Sequence, residues 1–174
     1  LTLLQKSHQA NVKQWVSLNT SVISCEYDTS SSQFTVKTRN SISGEEAMTV
    51  FDYAICCTGH FSTPNVPHFP GMNAFPGRIL HAHDFRSAEE FAGKNILVIG
   101  TSYSAEDIAS QCYKYGVKSV TCSWRTAPMG FDWPDNFKTV ALLEKIIPGT
   151  NTCVFKDGNT AVIDAIILCT GYQH

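Results

Sequence analysis

The sequence predicts an α/β fold with a parallel sheet at its centre, preceded by an antiparallel β-meander. Three observations lead there. Asn95–Ile99 (NILVI) is a short run apolar on both faces, which suits a strand of a parallel sheet covered by helices. Residues 104–115 have helical spacing, with Ile108, Ala109, Cys112 and Tyr115 along one side, and Gly116 stands where a C-terminal cap glycine belongs. Residues 117–124 (VKSVTCSW) then read as a second strand. Strand, helix and strand within about 30 residues make a βαβ unit, whose crossover should be right-handed.

The elements follow in order. Residues 1–16 read as the end of a helix. Residues 20–40 (TSVISCEYDTSSSQFTVKTRN) read as a hairpin, with Val22 and Ile23 on one arm and Phe34 and Val36 on the other. Residues 44–59 (GEEAMTVFDYAICCTG) add a strand that becomes fully apolar over 53–57, completing a three-stranded meander. The stretch 60–77 (HFSTPNVPHFPGMNAFPG) has four prolines and two glycines. Such a segment cannot be a helix or a central strand, so it reads as a crossover linker with a domain boundary. Residues 152–171 (TCVFKDGNTAVIDAIILCTG) predict a later hairpin turned at Asp157 and Gly158, running into another buried strand. FDYAICCTGH (51–60) and IDAIILCTGY (163–172) rhyme: an Asp, an apolar run, then Cys-Thr-Gly. The rhyme suggests two strand ends that deliver a Thr-Gly turn to comparable places.

Bulk properties set the bounds. With 174 residues and 43% hydrophobic content, the chain can bury one sizeable core or pieces of two domains. A net charge of −2 makes no case for nucleic acid or an anionic membrane. No apolar run reaches the roughly 18 residues of a membrane-spanning helix. Both ends read as cuts, so an internal fragment is expected. The seven cysteines are an odd number without a C-x-x-C pair, which predicts reduced, buried thiols in a cytoplasmic protein. His81 and His83 share one face of an extended segment, yet no third ligand stands nearby, so no metal is expected.

The turn after Ile99 poses the functional question. Gly100 stands at the first glycine of G-x-G-x-x-G, while Ser102 and Ala105 replace the second and third. The first glycine permits the tight turn, the second lets backbone approach a pyrophosphate, and the third allows close helix–strand packing. Serine is small and adds a donor, and alanine is an accepted third residue. The helix start offers N–H groups and a positive dipole end to an anion, with Ser104 as the expected N-cap and Asp107 in the first turn. Taken alone, the turn reads equally as a plain βαβ connection. After the second strand, where an acid would hold the ribose of NAD, the sequence has WRTAP. Arg125 matches a 2′-phosphate, with the Thr126 hydroxyl beside it. That pattern predicts NADP(H); the alternative is a solvated surface arginine.

Together the motifs resemble the flavin-containing monooxygenases. FPGRILHAHDF fits the family pattern F-x-G-x-x-x-H-x-x-x-[F/Y] through Phe75, Gly77, His81 and Phe85. Phe85 sets the chain apart from Baeyer–Villiger enzymes, whose motif ends in tryptophan. CTGHFSTPNVP and CTGY resemble the family's two Thr-Gly linkers, Thr58 with Gly59 and Thr170 with Gly171. GTSYSAED and CSWRTAPMGFDWPDNF resemble the bacterial trimethylamine monooxygenase branch. The resemblance implies a two-dinucleotide-binding-domain flavoprotein: a Rossmann-like NADPH-binding domain inserted in a partial FAD-binding domain. Its parts would be 1–60 (FAD domain), 61–94 (linker with the family motif), 95–168 (NADPH domain) and 169–174 (return to the FAD domain).

It further implies FAD and NADP as cofactors, held in part by Gly100, Thr101, Ser102, Ser104, Ala105, Arg125, Thr126 and the two Thr-Gly pairs. A tertiary amine or sulfide would be oxygenated by O2 through a C4a-hydroperoxyflavin. Tyr103 would sit beside nicotinamide and flavin, or else pack the turn. Trp133, in the loop MGFDWPDNF, would cover the site or pack an ordinary surface loop. The isolated fragment would be inactive. Other readings are an N-hydroxylating or Baeyer–Villiger-type flavin enzyme, or a non-catalytic NADP-binding module. Room remains for a homodimer.

Overall fold

A computed structural model describes residues 12–130 and 132–173. The chain divides into two units, Leu1–Thr58 and Gly59–His174. Most of the helix end expected over 1–16 lies outside the described residues; within them Val12–Trp15 forms one 3₁₀ turn.

The first unit is the meander expected from its alternation. Strands β1 (Thr20–Asp28), β2 (Gln33–Asn40) and β3 (Glu46–Phe51) pair antiparallel in that order. Tyr27 faces Phe34 across the first pair, with ring centroids 4.8 Å apart. The register shifts between Val22 and Ser24, leaving Ile23 as the extra residue of a bulge. The turn is set by Asp28, whose carboxylate accepts from Ser30 N, Ser30 Oγ and Ser31 Oγ at 2.7–2.9 Å. Those donors hold its pKa down at about 2. The apolar run at 53–57 does not extend the sheet: β3 stops at Phe51, and among the described residues no partner strand reaches the run. No described residue of this unit is buried, because a three-stranded sheet has no core until another layer covers it.

The second unit is built on a five-stranded parallel sheet in the order β5-β12-β6-β7-β8. Its strands are β5 (Arg78–His81), β6 (Asn95–Ile99), β7 (Ser119–Ser123), β8 (Phe137–Val140) and β12 (Ala165–Leu168). The segment expected as a linker thus supplies an edge strand. Helix α1 (Tyr103–Lys114) joins β6 to β7 and ends in a Schellman motif. Val117 N–H donates to Cys112 O and Gly116 N–H to Tyr113 O, with Gly116 at φ +81°. Of the face read from the helical spacing, Ile108, Ala109 and Cys112 are buried, while Tyr115 is exposed because the helix ends before it.

The double-sided apolarity of the central strands has a direct cause. Ile96, Val98, Ala165 and Ile167 pack toward α1 in one cluster. Their neighbours Leu97, Ile99, Ile166 and Leu168 join Phe69, Phe75, Leu143, Ile146 and Phe155 in another, as the period of two requires. The second face is not covered by helices as expected. A small antiparallel sheet covers it, made of β9 (Leu143–Ile146), β10 (Thr152–Phe155) and β11 (Thr160–Val162). Its hairpin turns at Asp157 and Gly158, the latter at φ +82°. Two short strands, β4 (Thr63–Pro64) and β13 (Tyr172–Gln173), also pair antiparallel. They follow the two Thr-Gly turns, so the rhyming segments do lead to neighbouring places.

Candidate functional site

A cavity of about 520 Å³ opens just beyond the carboxyl ends of β6, β7 and β12. Here the order of the sheet reverses: the chain moves from β6 outward to β7 and β8, then returns to the other side of β6 as β12. Open α/β sheets place ligands in the crevice at such a point, because diverging loops leave it unfilled. Gly100, Thr101 and Ser102 line it after β6, Ser123, Arg125 and Thr126 at the end of β7, and Cys169, Thr170 and Gly171 after β12.

Each part is held by specific contacts. Gly100 has φ +127°, and a Cβ built there would lie 2.3 Å from the Cys169 carbonyl oxygen. Only glycine lets the turn pass that close to β12. Thr101 Oγ1 donates to Ala127 O at 3.1 Å, tying the glycine turn to the loop that holds Arg125. Ser123, fully buried, donates its hydroxyl to Ala141 O and accepts from Leu143 N at 3.0 and 2.9 Å. Those bonds set the neighbouring chain so that Leu142 forms an apolar wall.

Several expected residues take different roles. Ser102, not Ser104, is the N-cap, and its side chain makes no capping bond. Its hydroxyl is therefore not spent on the helix. Ser104 is the second helical residue, and Glu106, not Asp107, is the acid of the first turn. The helix starts one residue earlier than its apolar spacing implied. Ala105 is wholly buried against β6, so its small size serves packing. Tyr103 is 88% exposed and does not pack the turn. Arg125 is exposed, and no carboxylate pairs with it among the described residues. Trp133 is half-buried, its ring stacked 3.9 Å from Phe137. Thr58 and Gly59 fall at the junction of the two units.

The family-motif residues are explained by the sheet. Phe75 is buried in the second cluster, and its ring lies against Gly77. A Cβ on Gly77 would sit 2.3 Å from Asp164 O, so glycine lets β5 enter beside β12. Phe85 stacks on the buried Phe91 at 6.0 Å. His81 ends β5, 5% exposed, and its Nδ1 accepts from His83 N at 3.1 Å. Its remaining proton is then on Nε2. Burial lowers its pKa, while a hydrogen bond with the Gly171 backbone acts the other way. His81 and His83 do not share an extended face, because Ala82–Asp84 turns as a 3₁₀ helix. Among the described residues no cluster could hold a metal ion.

The cysteines divide. Cys112, Cys122, Cys153 and Cys169 are buried, as expected, but Cys25, Cys56 and Cys57 are exposed on the coreless first unit. Asn65, Pro67, Phe69, Ser123, Leu142 and Cys169 line the cavity without having been marked in the sequence. Asn65 and Pro67 lay in a stretch read only as a linker, and the rhyme of the Thr-Gly turns was the one signal pointing to them.

The profile described as flavin-binding monooxygenase-like matches residues 3–130. This chain belongs to the flavin-binding monooxygenase-like family. A trimethylamine monooxygenase of Methylocella silvestris is 52% identical over 172 residues, covering 99% of this chain and 38% of that protein. A crystal structure of Tmm from a Pelagibacter species superposes with a TM-score of 0.84 at 46% identity, over 98% of this chain and 38% of the other. An S-allyl-L-cysteine S-oxygenase from Allium sativum superposes at 0.76 with 27% identity, over 99% of this chain and 39% of the other. The chain spans under two-fifths of the length of these family members. No described helix is long and apolar enough to cross a membrane.

Proposed function

We propose that the protein containing this chain is an FAD- and NADPH-dependent monooxygenase. It oxygenates the nitrogen of a tertiary amine such as trimethylamine, and this chain supplies its NADPH site. One observation carries the reading. A single cavity at the switch point of the sheet is lined by both the Gly100 turn and Arg125. The chemistry of the lining fits a dinucleotide. Gly100 makes the tight turn past β12 at the head of α1, and Ser102, at the position where backbone approaches a pyrophosphate, offers a hydroxyl not used as a cap. Arg125, without a carboxylate partner among the described residues, is suited to the 2′-phosphate, with Thr126 beside it. The Leu142 and Phe69 side chains offer an apolar surface for a flat base. Tyr103, projecting from the helix start, suits a role at the reacting end.

In the balanced reaction NADPH gives two electrons, one oxygen atom of O2 goes to the amine nitrogen and the other leaves as water. The flavin supplies the oxygen-transfer chemistry when bound. The residues of this chain bind and orient the reductant. The relatives named for trimethylamine, at about half identity, favour an amine over a ketone or an N-hydroxylation substrate. A cytoplasmic location suits the buried reduced thiols.

The test is NADPH oxidation by the whole protein with and without trimethylamine. Stimulation is expected, and no response to any amine or sulfide refutes the activity. Replacing Arg125 by Ala should raise the NADPH KM by about 10- to 100-fold, as loss of a charge-assisted contact does, and leave the NADH KM nearly unchanged. Equal effects on both would refute the 2′-phosphate role.

A further inference from the structure

The cavity wall formed by Thr170 and Gly171 depends on a residue 105 positions away in the chain. Asn65 N–H donates to Gly171 O at 2.9 Å. Asn65 Nδ2 donates to Thr170 O at 3.2 Å, and Thr170 Oγ1 donates to Asn65 O at 2.6 Å. The clasp sits where the short β4–β13 ladder ends, at Tyr172 opposite Pro64. Beyond it the chain runs on to Pro67 and Phe69, both on the cavity.

The two glycines that flank the cavity are held in different ways. Gly100 is wedged against Cys169, so sterics fix it. Gly171 has φ +79° and nothing within 4 Å of where a Cβ would stand. No steric wedge holds Gly171, and Asn65 supplies or receives the three hydrogen bonds named above. Thr170 also gives its hydroxyl proton to Asn65, which leaves that proton unavailable to a phosphate. Thr170 therefore shapes the wall rather than donating to a ligand.

We propose that Asn65 is a positioning residue for the dinucleotide, setting through Thr170 and Gly171 the wall beside the Gly100 turn. The inference rests on the cavity being the NADPH site, as proposed above. Asn65 is exposed and its bonds lie at the surface, so its replacement should spare the fold and act on the ligand.

The experiment measures the NADP+ dissociation constant of the whole protein by titration, together with kcat at saturating NADPH and the thermal midpoint. Asn65→Ala and Asn65→Asp both remove the amide donor. Thr170→Val removes the hydroxyl and Thr170→Ser keeps it. Each of the first three should weaken NADP+ about three- to tenfold, the effect of one hydrogen bond, with kcat within twofold of the parent. Thr170→Ser should match the parent. Arg125→Ala is the reference for the site. If Arg125→Ala weakens NADP+ while the Asn65 variants stay within twofold, the positioning role falls and the site reading stands. If the Asn65 variants lower the thermal midpoint or kcat with unchanged NADP+ affinity, Asn65 is only structural and the inference fails. If Arg125→Ala also leaves affinity unchanged, both readings fail.

Discussion

Substituting alanine for Gly100 tests how the site is built. The residue has φ +127°, and the new Cβ would lie 2.3 Å from the Cys169 carbonyl oxygen and 3.1 Å from its carbon. Both obstacles are main-chain atoms, held by the Cys169 N–H bond to Ile99 O at 2.8 Å, so no side chain can swing aside. Backbone strain at positive φ costs about 1–2 kcal/mol, and forcing a methyl into a packed contact adds about 1–3 kcal/mol. Gly116 separates the two effects. It has φ +81° with open space around it, so Gly116→Ala carries the strain alone. Urea unfolding of the whole protein should show Gly100→Ala less stable than Gly116→Ala by about 1–3 kcal/mol. NADP+ affinity should fall for Gly100→Ala only, since the turn must move away from β12. Equal stabilities of the two variants would refute the wedge, and unchanged NADP+ affinity would refute the claim that this turn shapes the site.

Other expectations follow from burial and bonding. Ser123→Ala leaves the buried Leu143 N–H and the part-buried Ala141 carbonyl without their partner and should cost about 1–3 kcal/mol, read by chemical denaturation; a loss under 0.5 kcal/mol contradicts the bridge. Burial pushes the Cys112, Cys153 and Cys169 thiols up to about 12 and raises Cys122 too. The unfolded chain ionises these thiols near 8.5, so above that pH it binds fewer protons than the folded one, and stability should fall as pH rises from about 9 toward 12. A flat stability profile over that range would contradict their burial. Cys112, Cys122 and Cys153, fully buried, should react with a disulfide reagent only as fast as the protein unfolds, whereas rapid labelling of Cys112 or Cys122 would show an open core. Asp28, held at about 2 by its turn donors, has a folded pKa below its unfolded value. Its contribution is present above pH 4 and is lost as pH falls through about 2, which a carboxyl NMR titration reads directly.

Much was visible along the chain because the signals are local. The alternation of residues 20–51 sets the meander, the spacing of Ile108, Ala109 and Cys112 sets the helix face, and Gly116 and Gly158 mark turns by their need for positive φ. The doubly apolar runs NILVI and AIIL announced buried strands, and Gly100 and Arg125, singled out along the chain, line one cavity. These patterns report what each residue needs from its immediate surroundings. The capping serine was misplaced by two residues because Ser102 and Ser104 are equivalent as local signals. The choice between them depends on where β6 releases the chain against Cys169.

Long-range pairing needed three dimensions. An apolar face states that it will be covered, not by what, so the β9–β10–β11 sheet stood where helices were expected. The segment 61–94 read as a linker because prolines mask strands, yet Arg78–His81 gains the edge of the sheet by pairing with β12. Residues 53–57 carry strand composition without a partner strand among the described residues, and hydrogen-bonded ladders form only where one is in reach. The Asn65 clasp joins residues separated by 105 positions. Composition and period speak for one residue and its neighbours in the chain; contacts between distant segments are chosen by the energy of the assembled fold.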